Sequence, residues 1–389
     1  MSDQPGPSPI TSPITSPLHA RHEALGARLS EFGGWLMPLE YAAGTVREHT
    51  AVREAVGLFD VSHLGKVAVR GPGAVALVDS CLTADLGRIG AGQAQYSLCC
   101  DDATGGIVDD LIAYRRADDD VLLVPNAANS AEVARRLRTA AAERAPEVEV
   151  LDLHRDLVVL AVQGPRSDAV LAGVGLPAGH EYLSFVEAVP GAAPGVGEVV
   201  VCRTGYTGER GYELLAAAAD AEALWDALVA AGEPHGLLPA GLGARDTLRT
   251  EMGYALHGQD IGPEVTPLEA RLGWAVGWSK PAFWGREVLL AAREAGASRL
   301  LRGLVASGRG IPRPHMRVLT AADGLDGAVV GELTSGTFSP TLRRGVGLAL
   351  LDASVPVGAE VVVDVRGRPE PFTVTTPPFV PSSVREATA

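Results

Sequence analysis

Gly105-Gly106-Ile107-Val108-Asp109-Asp110-Leu111-Ile112-Ala113-Tyr114 sets two adjacent carboxylates inside a run of strand-forming residues. Strands ordinarily exclude Asp. Side chains alternate across a strand, so the spacing predicts Val108, Asp110, Ile112 and Tyr114 on one face and Ile107, Asp109, Leu111 and Ala113 on the other. Each face then carries one acid among apolar neighbours, where a carboxylate is costly to bury unless it is paired or working. The same residues also fit a strand that ends early, with both acids solvated in its turn. The flanking sequence decides between the two.

Around this stretch, Gln93 to Cys99 and Val121 to Val124 read as further strands, and Lys66 to Arg70 alternates polar and apolar residues as a strand does. Gly71-Pro72-Gly73 turns the chain into a short helix, Ala74 to Cys81, and Asn129-Ser130 is set to cap a helix to about Arg144 with Val133 and Leu137 inward. Together these make a compact α+β unit between Lys66 and Val150.

Further out, Leu25, Leu29 and Phe32 recur at helical spacing and predict a helix from Leu18 to Phe32, stopped by Gly33-Gly34; a second helical pattern runs through Val46, Val52 and Val56. His63 follows in a turn. With no second His or Cys nearby to complete a dyad or metal set, it reads as a satisfied core or turn histidine. Leu157 to Gln163 is a buried strand ended by Gly164-Pro165, and Val199 to Thr204 another. Gly205 to Leu215 then reads as a hairpin. Its glycines do not make a phosphate loop, which needs Gly-Lys-Ser/Thr leading into a helix. Asp220 is placed to cap a helix bearing Leu224, Trp225 and Leu228, ended by Gly232.

Arg245 and Arg249 lie one turn apart on the same face of a helix beginning near Gly241. Two arginines so placed can clamp a carboxylate; the alternative is surface arginines paired with Asp246 and Glu251. From Leu300 onward, short runs such as Ala328-Val329-Val330 and Val361-Val362-Val363 alternate with Gly/Pro turns, which reads as a separate all-β barrel or jelly-roll.

At 389 residues the chain is too long for one ordinary core, and two or three domains are expected. No apolar run approaches the roughly eighteen residues that span a bilayer, so the protein is expected to be soluble and without membrane contact. The formal charge of −14 and scattered basic residues argue against nucleic acid. Residues 1–17 repeat Ser-Pro-Ile-Thr without a basic start or apolar core and read as a disordered tail, not a signal peptide. Four cysteines without a Cys-x-x-Cys pair fit a reducing cytoplasm and argue against a Cys-rich metal site.

Taken in order, eight segments resemble the aminomethyltransferase (T-protein) family of the glycine cleavage system. They are Phe59-Asp60-Val61-Ser62-His63, the opening stretch through Ile112, Leu160-Ala161-Val162-Gln163-Gly164-Pro165, Thr204-Gly205-Tyr206-Thr207-Gly208-Glu209, Ala244-Arg245-Asp246-Thr247-Leu248-Arg249, Leu256-His257-Gly258-Gln259-Asp260-Ile261, Thr334-Ser335-Gly336 and Pro378-Phe379-Val380. Each is weak alone; the ordered set, from about Leu18 to Arg385, is specific.

The resemblance implies an α+β, three-domain cloverleaf around a central folate pocket. Its parts would be 18–64 with 151–290, an inserted unit 65–150, and a C-terminal β-barrel 291–389. It also implies the reaction: the aminomethyl group on the lipoyl arm of the H-protein passes to tetrahydrofolate with release of ammonia, needing no metal, flavin or nucleotide. A monomer meeting the H-protein transiently is the family expectation. Position by position, the essential aspartate falls on Asp110, the pterin-binding acid on Glu213 and a folate-site arginine on Arg245. Tyr206 and Tyr114 line the pocket, with Tyr96 and Asn126 on neighbouring strands. Leu64 stands where many relatives have Met and keeps an apolar wall. Arg385 is a further folate contact by position, although Pro381 to Arg385 lacks the aromatic of relatives. The alternatives are another tetrahydrofolate-dependent one-carbon transferase or demethylase, or a folate-binding regulatory protein. A related iron-sulfur assembly protein would carry a Lys-Gly-Cys-x-x-Gly-Gln-Glu signature, and the corresponding Lys280 to Arg286 has no cysteine.

Overall fold

The structure is a computed structural model that describes residues 12–386. The two-acid stretch is a full strand, Ile107–Ala117, second in an antiparallel sheet ordered Gln93–Cys100, Ile107–Ala117, Asp120–Val124, Val67–Arg70, Glu149–Asp152. The early-ending alternative is therefore excluded. Helices Ala74–Cys81 and Ser130–Arg144 cover one face of this sheet, burying Leu77, Val78, Val133 and Leu137 against Val67, Leu111 and Leu123. Burial of each such side chain is worth about 1.5–3 kcal/mol.

Strict alternation fails at the strand's start. The ladder shifts between Cys99, which pairs Asp109, and Cys100, which pairs Ile107, leaving Val108 as a bulge. Ile107 consequently packs with Leu98 and Cys100, while Val108 joins the helix-covered core with Cys99 and Leu111. The faces predicted for Ile107 and Val108 are thus exchanged. The bend is fixed from outside: a Cβ on Gly106 would lie 1.8 Å from the Pro263 carbonyl oxygen, so the two backbones touch.

The other face meets a second sheet, ordered Phe185–Ala188, Val199–Cys202, Gly211–Ala217, Leu157–Gln163, Val56–Asp60, Leu237–Pro239, in which only the last strand runs parallel to its neighbour. The expected hairpin is present, with Cys202 opposite Glu213. Phe59, Ala161 and Leu215 from this sheet share one core with Tyr114 and Leu122 from the first and with Ala244 and Leu248 of the helix Leu242–Met252. That three-way packing is what brings residues of distant segments to one place.

The third unit is a closed barrel ordered Arg299–Ala306, Arg344–Asp352, Val329–Ser339, Arg317–Thr320, Glu360–Asp364, Pro369–Thr375, as the all-β reading expected. It docks on the helix Leu242–Met252 through buried polar groups. Arg249 Nη1 reaches Asp260 Oδ2 at 2.7 Å, and the Ser335 hydroxyl donates to the same oxygen at 2.9 Å. Two residues on, Glu251 accepts from Arg53 Nη2 at 2.7 Å and from the Thr341 hydroxyl at 3.0 Å.

The N-terminal expectations need correction. The first helix spans only His19–Ala24, and Arg28–Phe32 is a strand paired with Trp35–Glu40; Gly26, at φ +68°, ends the helix, and Leu25 and Phe32 stay exposed. Val56 belongs to a strand, the second helix stopping at Glu54. Of the tail expected over residues 1–17, residues 1–11 lie outside the described part. Ile14–Thr15 pairs in parallel with Trp35–Leu36, and the Ser16 hydroxyl donates to the buried Asp60, which also meets His22 Nε2 at 2.9 Å. Order there begins before residue 18 because a buried carboxylate requires those donors. His63 is buried as expected, but its Nδ1 finds no hydrogen-bond partner among the described residues. Among the described residues no helix is long and apolar enough to cross a membrane.

Candidate functional site

Asp110 is half-buried, and each of its carboxylate oxygens has a donor. The Tyr96 hydroxyl, from the adjacent strand, reaches Oδ2 at 3.0 Å, and Asn126 Nδ2 reaches Oδ1 at 2.8 Å. The same Asn126 amide nitrogen lies 2.9 Å from Asp109 Oδ1. Two acids that strict alternation would separate therefore meet at one amide, and the bulge beside them is the reason.

Asp109 is wholly buried, not turned to solvent. It accepts the Asn126 backbone N–H at 3.0 Å and Asn129 Nδ2 at 2.7 Å as well. Asn129 was expected to cap the helix Ser130–Arg144 but makes no such bond; its amide serves Asp109 and, at 2.9 Å, His257 Nδ1. Asp220 likewise does not cap its helix, its carboxylate accepting instead from the Gly197 N–H. Burial pushes both carboxyls of the Asp109–Asp110 pair above the ordinary range, the charge of Asp110 adding to the rise at Asp109, against the pull of these donors.

Facing the pair is a second group built on the hairpin. The Thr204 hydroxyl donates to Glu213 Oε2 at 2.6 Å, so at 3.1 Å the Tyr114 hydroxyl donates in turn to Thr204. Tyr114 itself is fully buried between the two sheets, and the half-buried Leu64 packs against the same cluster. Arg245 stacks over the Tyr206 ring, 4.6 Å from its centroid, and makes no hydrogen bond among the described residues. Tyr206 lies within electrostatic reach of both Asp110 and Arg245, and Arg245 of Glu213. Asp110, Tyr96, Asn126, Tyr206, Arg245, Glu213 and Tyr114 are in this way one neighbourhood. Arg385 stands further out, exposed, 5.3 Å over the Tyr182 ring.

The arginine pair does not form the clamp that its spacing allows. Arg249 is 1% exposed and spends its donors on Asp246, Asp260 and Ser335, while Arg245 alone is open. Glu251 is taken by Arg53 instead.

Four contributors went unassigned in the sequence. Thr204 and His257 lie in quoted motifs, but only their partners reveal a use: Glu213 for the first, Asn129 and the Ile107 carbonyl (3.0 Å from Nε2) for the second. Asn129 was masked by its plausibility as a cap. Trp274 is 71% exposed and stacks on Tyr96 at 5.4 Å, an aromatic step beside the acid pair with no local sequence signal. Among the described residues no group of three or more His, Cys, Asp or Glu could hold a metal ion.

With this geometry in place, the comparisons with known proteins are specific. Residues 18–280 match the family model of the GCVT N-terminal domain, and 299–381 that of the glycine cleavage T-protein C-terminal barrel domain. An aminomethyltransferase of Frankia alni is 62% identical over 369 residues, covering 95% of this chain and 98% of that relative. One from Mycobacterium tuberculosis is 55% identical over 370 residues, covering 95% and 97%. Among solved structures, the glycine cleavage system aminomethyltransferase T from Bartonella henselae superposes with a TM-score of 0.86 at 36% identity, over 95% of this chain and 98% of that one.

Proposed function

The chain belongs to the glycine cleavage T-protein family and is an aminomethyltransferase, and from that premise we propose that it moves the aminomethyl carbon on the dihydrolipoyl arm of an H-protein to tetrahydrofolate, releasing ammonia. The observation that carries this reading is the half-buried Asp110 carboxylate held by Tyr96 and Asn126, within electrostatic reach of Tyr206, on whose ring Arg245 stacks with its donors unspent.

Asp110 is the base. In the transfer, two folate N–H bonds are lost, and the two protons end on the lipoyl sulfur and on the departing ammonia. A carboxylate beside the attacking nitrogen takes one proton and returns it to the amine, a task typically worth about 10²–10⁴ in rate. Glu213 receives the pterin, since a carboxylate accepts both hydrogen bonds of an amino-pyrimidinone edge as it does those of a guanidinium. Thr204 fixes the angle of that carboxylate by donating to Oε2. Arg245, carried on the Tyr206 ring, offers its planar donors to the folate's anionic or carbonyl oxygens. Leu64 supplies an apolar wall, Tyr114 steadies Thr204 from within the core, and Arg385 offers a charge for the outer end of the ligand. The four free, buried cysteines fit a reducing cytoplasm.

The test mixes the protein with aminomethyl-loaded H-protein and tetrahydrofolate and measures ammonia and methylene-tetrahydrofolate together. Stoichiometric appearance of both is expected. Folate binding without either product would overturn the reading in favour of a folate-binding protein that does no transfer.

A further inference from the structure

Beneath Asp110 lies a polar network that the reaction as described does not use. It begins at Asp109, 0% exposed, and every contact it makes is with a donor: the Asn126 N–H, Asn126 Nδ2 and Asn129 Nδ2, at 3.0, 2.9 and 2.7 Å. None of these nitrogens can accept a proton. The orientation of both amides is settled by this same fact, because turning either over would aim a carbonyl oxygen at a buried carboxylate. Asn129 spends its second N–H on His257 Nδ1. His257 must then donate through Nε2, and it does so to the carbonyl of Ile107 at 3.0 Å, the residue that closes the bulge. The Ile107 N–H is held in turn by the carbonyls of Gly262 and Val265. The network thus clamps the bend that sets the two acids side by side.

Asp110 differs from Asp109 in one respect. Its Oδ2 partner is a hydroxyl, and the Tyr96 oxygen can accept as well as donate. A proton on Asp110 has somewhere to point; a proton on Asp109 does not. Two carboxylates joined through one amide, one of them shut off from water, do not both ionise freely, and the one with only donors keeps the charge.

We propose that Asp109 is a positioning residue of the site: its buried charge, held by Asn126 and Asn129, makes Asp110 the proton acceptor of the pair. The step it serves is a transfer of one proton from the attacking substrate nitrogen to Asp110 Oδ2, the N–H bond breaking as the O–H bond forms, and its return to the leaving amine. The catalytic use of that proton rests on the aminomethyl-transfer reading; the charge arrangement does not. The other titratable groups near Asp110 are Tyr96 from the neighbouring strand, Tyr206 from the hairpin with Arg245 stacked on it, and His257 from the loop after the helix Leu242–Met252. Arg249 acts on Tyr206 from further off.

The test follows the carboxyl resonance of Asp110 against pH by carbon-13 NMR, assigned by its loss in Asp110→Asn, with the pH dependence of kcat beside it. Removing the charge with Asp109→Asn lowers the pH at which Asp110 titrates, by about one to two units for two carboxylates whose oxygens share the one Asn126 nitrogen, at an effective dielectric near 20. Asn129→Leu, which keeps Asp109 but strips one donor from its charged form, lets Asp109 compete for the proton and so lowers the titration of Asp110 as well, by less than Asp109→Asn does. Asn129 contacts neither Asp110 nor Tyr96, so this variant carries the test if Asp109→Asn does not fold. A lowered titration in both variants, the larger shift in Asp109→Asn, supports the proposal. An unmoved or raised titration in either variant would overturn it, since a merely structural role lowers the rate without moving the curve. Expected displacements in a wild-type protein that transfers no carbon would support the charge arrangement and refute only the reaction.

Discussion

Replacing Asp110 by Asn is the sharpest perturbation the site allows, because the network accepts an amide there without rearrangement. The Asn carbonyl oxygen takes the place of Oδ1 and still accepts from Asn126 Nδ2, now 2.8 Å from that oxygen. The new NH2 takes the place of Oδ2 and donates to the Tyr96 oxygen, its hydroxyl turning round at the same 3.0 Å. The fold should not suffer; removing one of two buried like charges is neutral or slightly stabilising. What disappears is the proposed proton acceptor. At about 1.36 kcal/mol per decade, a loss of 10²–10⁴ in rate corresponds to roughly 3–5 kcal/mol of transition-state stabilisation. In the proposed site, ligand affinity is assigned to Glu213, Arg245 and Tyr206, which sit on the hairpin and the helix Leu242–Met252 and make no hydrogen bond to Asp110. The assay is single-turnover ammonia release from aminomethyl-loaded H-protein, paired with calorimetric titration of tetrahydrofolate. Folate affinity within about threefold of wild type and turnover down at least about a hundredfold are expected. Turnover comparable to wild type would refute the assignment of the base.

Three further outcomes concern what holds the site together. Arg249→Met leaves Asp260 buried without its cation and should cost about 3–5 kcal/mol, loosening the barrel; limited proteolysis at Leu256 to Ile261 reads the opening, and resistance equal to wild type would contradict it. Burial raises the Glu251 carboxyl, but His49, Ser339 and Arg53 outweigh it and hold it down at about 2. A depressed carboxyl gives stability that is present above its unfolded value and lost as pH falls toward 2, so Glu251→Gln should flatten the urea stability profile between about pH 4.5 and 2, by up to roughly 3 kcal/mol. Lys66 is buried and burial pulls its ammonium down to about 7, with one hydrogen bond, to the Ser62 carbonyl, in partial return. Its charged form opposes folding below pH 7, and that opposition fades as pH rises from 7 toward 10.5. Lys66→Met should therefore raise the melting temperature most at pH 6 and least at pH 10, and a gain that grows with pH would invert the argument.

What the sequence determined by itself was the local and the ordered. Glycine-bounded alternating runs gave the strands, the turn residues gave the hairpin, and the eight motifs in series identified the family, because each depends on residues a few positions apart. Asp110 could be singled out in this way, and so could Glu213 and Arg245. The tertiary structure decided how the polar groups are spent. Whether Asn129 caps its own helix or feeds a buried acid depends on His257, 128 residues away, and whether Glu213 finds its donor depends on the register Cys202 to Glu213. Arg245 and Arg249 look alike in the helix, yet only Asp260 and Ser335, brought in with the barrel, take Arg249 out of use. The bulge at Val108 is the clearest case. Nothing within the strand announces it; the contact of Gly106 with the Pro263 carbonyl and the grip of His257 on Ile107 impose it, and with it the meeting of Asp109 and Asp110 at one amide. A period-two pattern records only what a strand does alone, and desolvated carboxylates are settled by whichever donors the whole fold delivers.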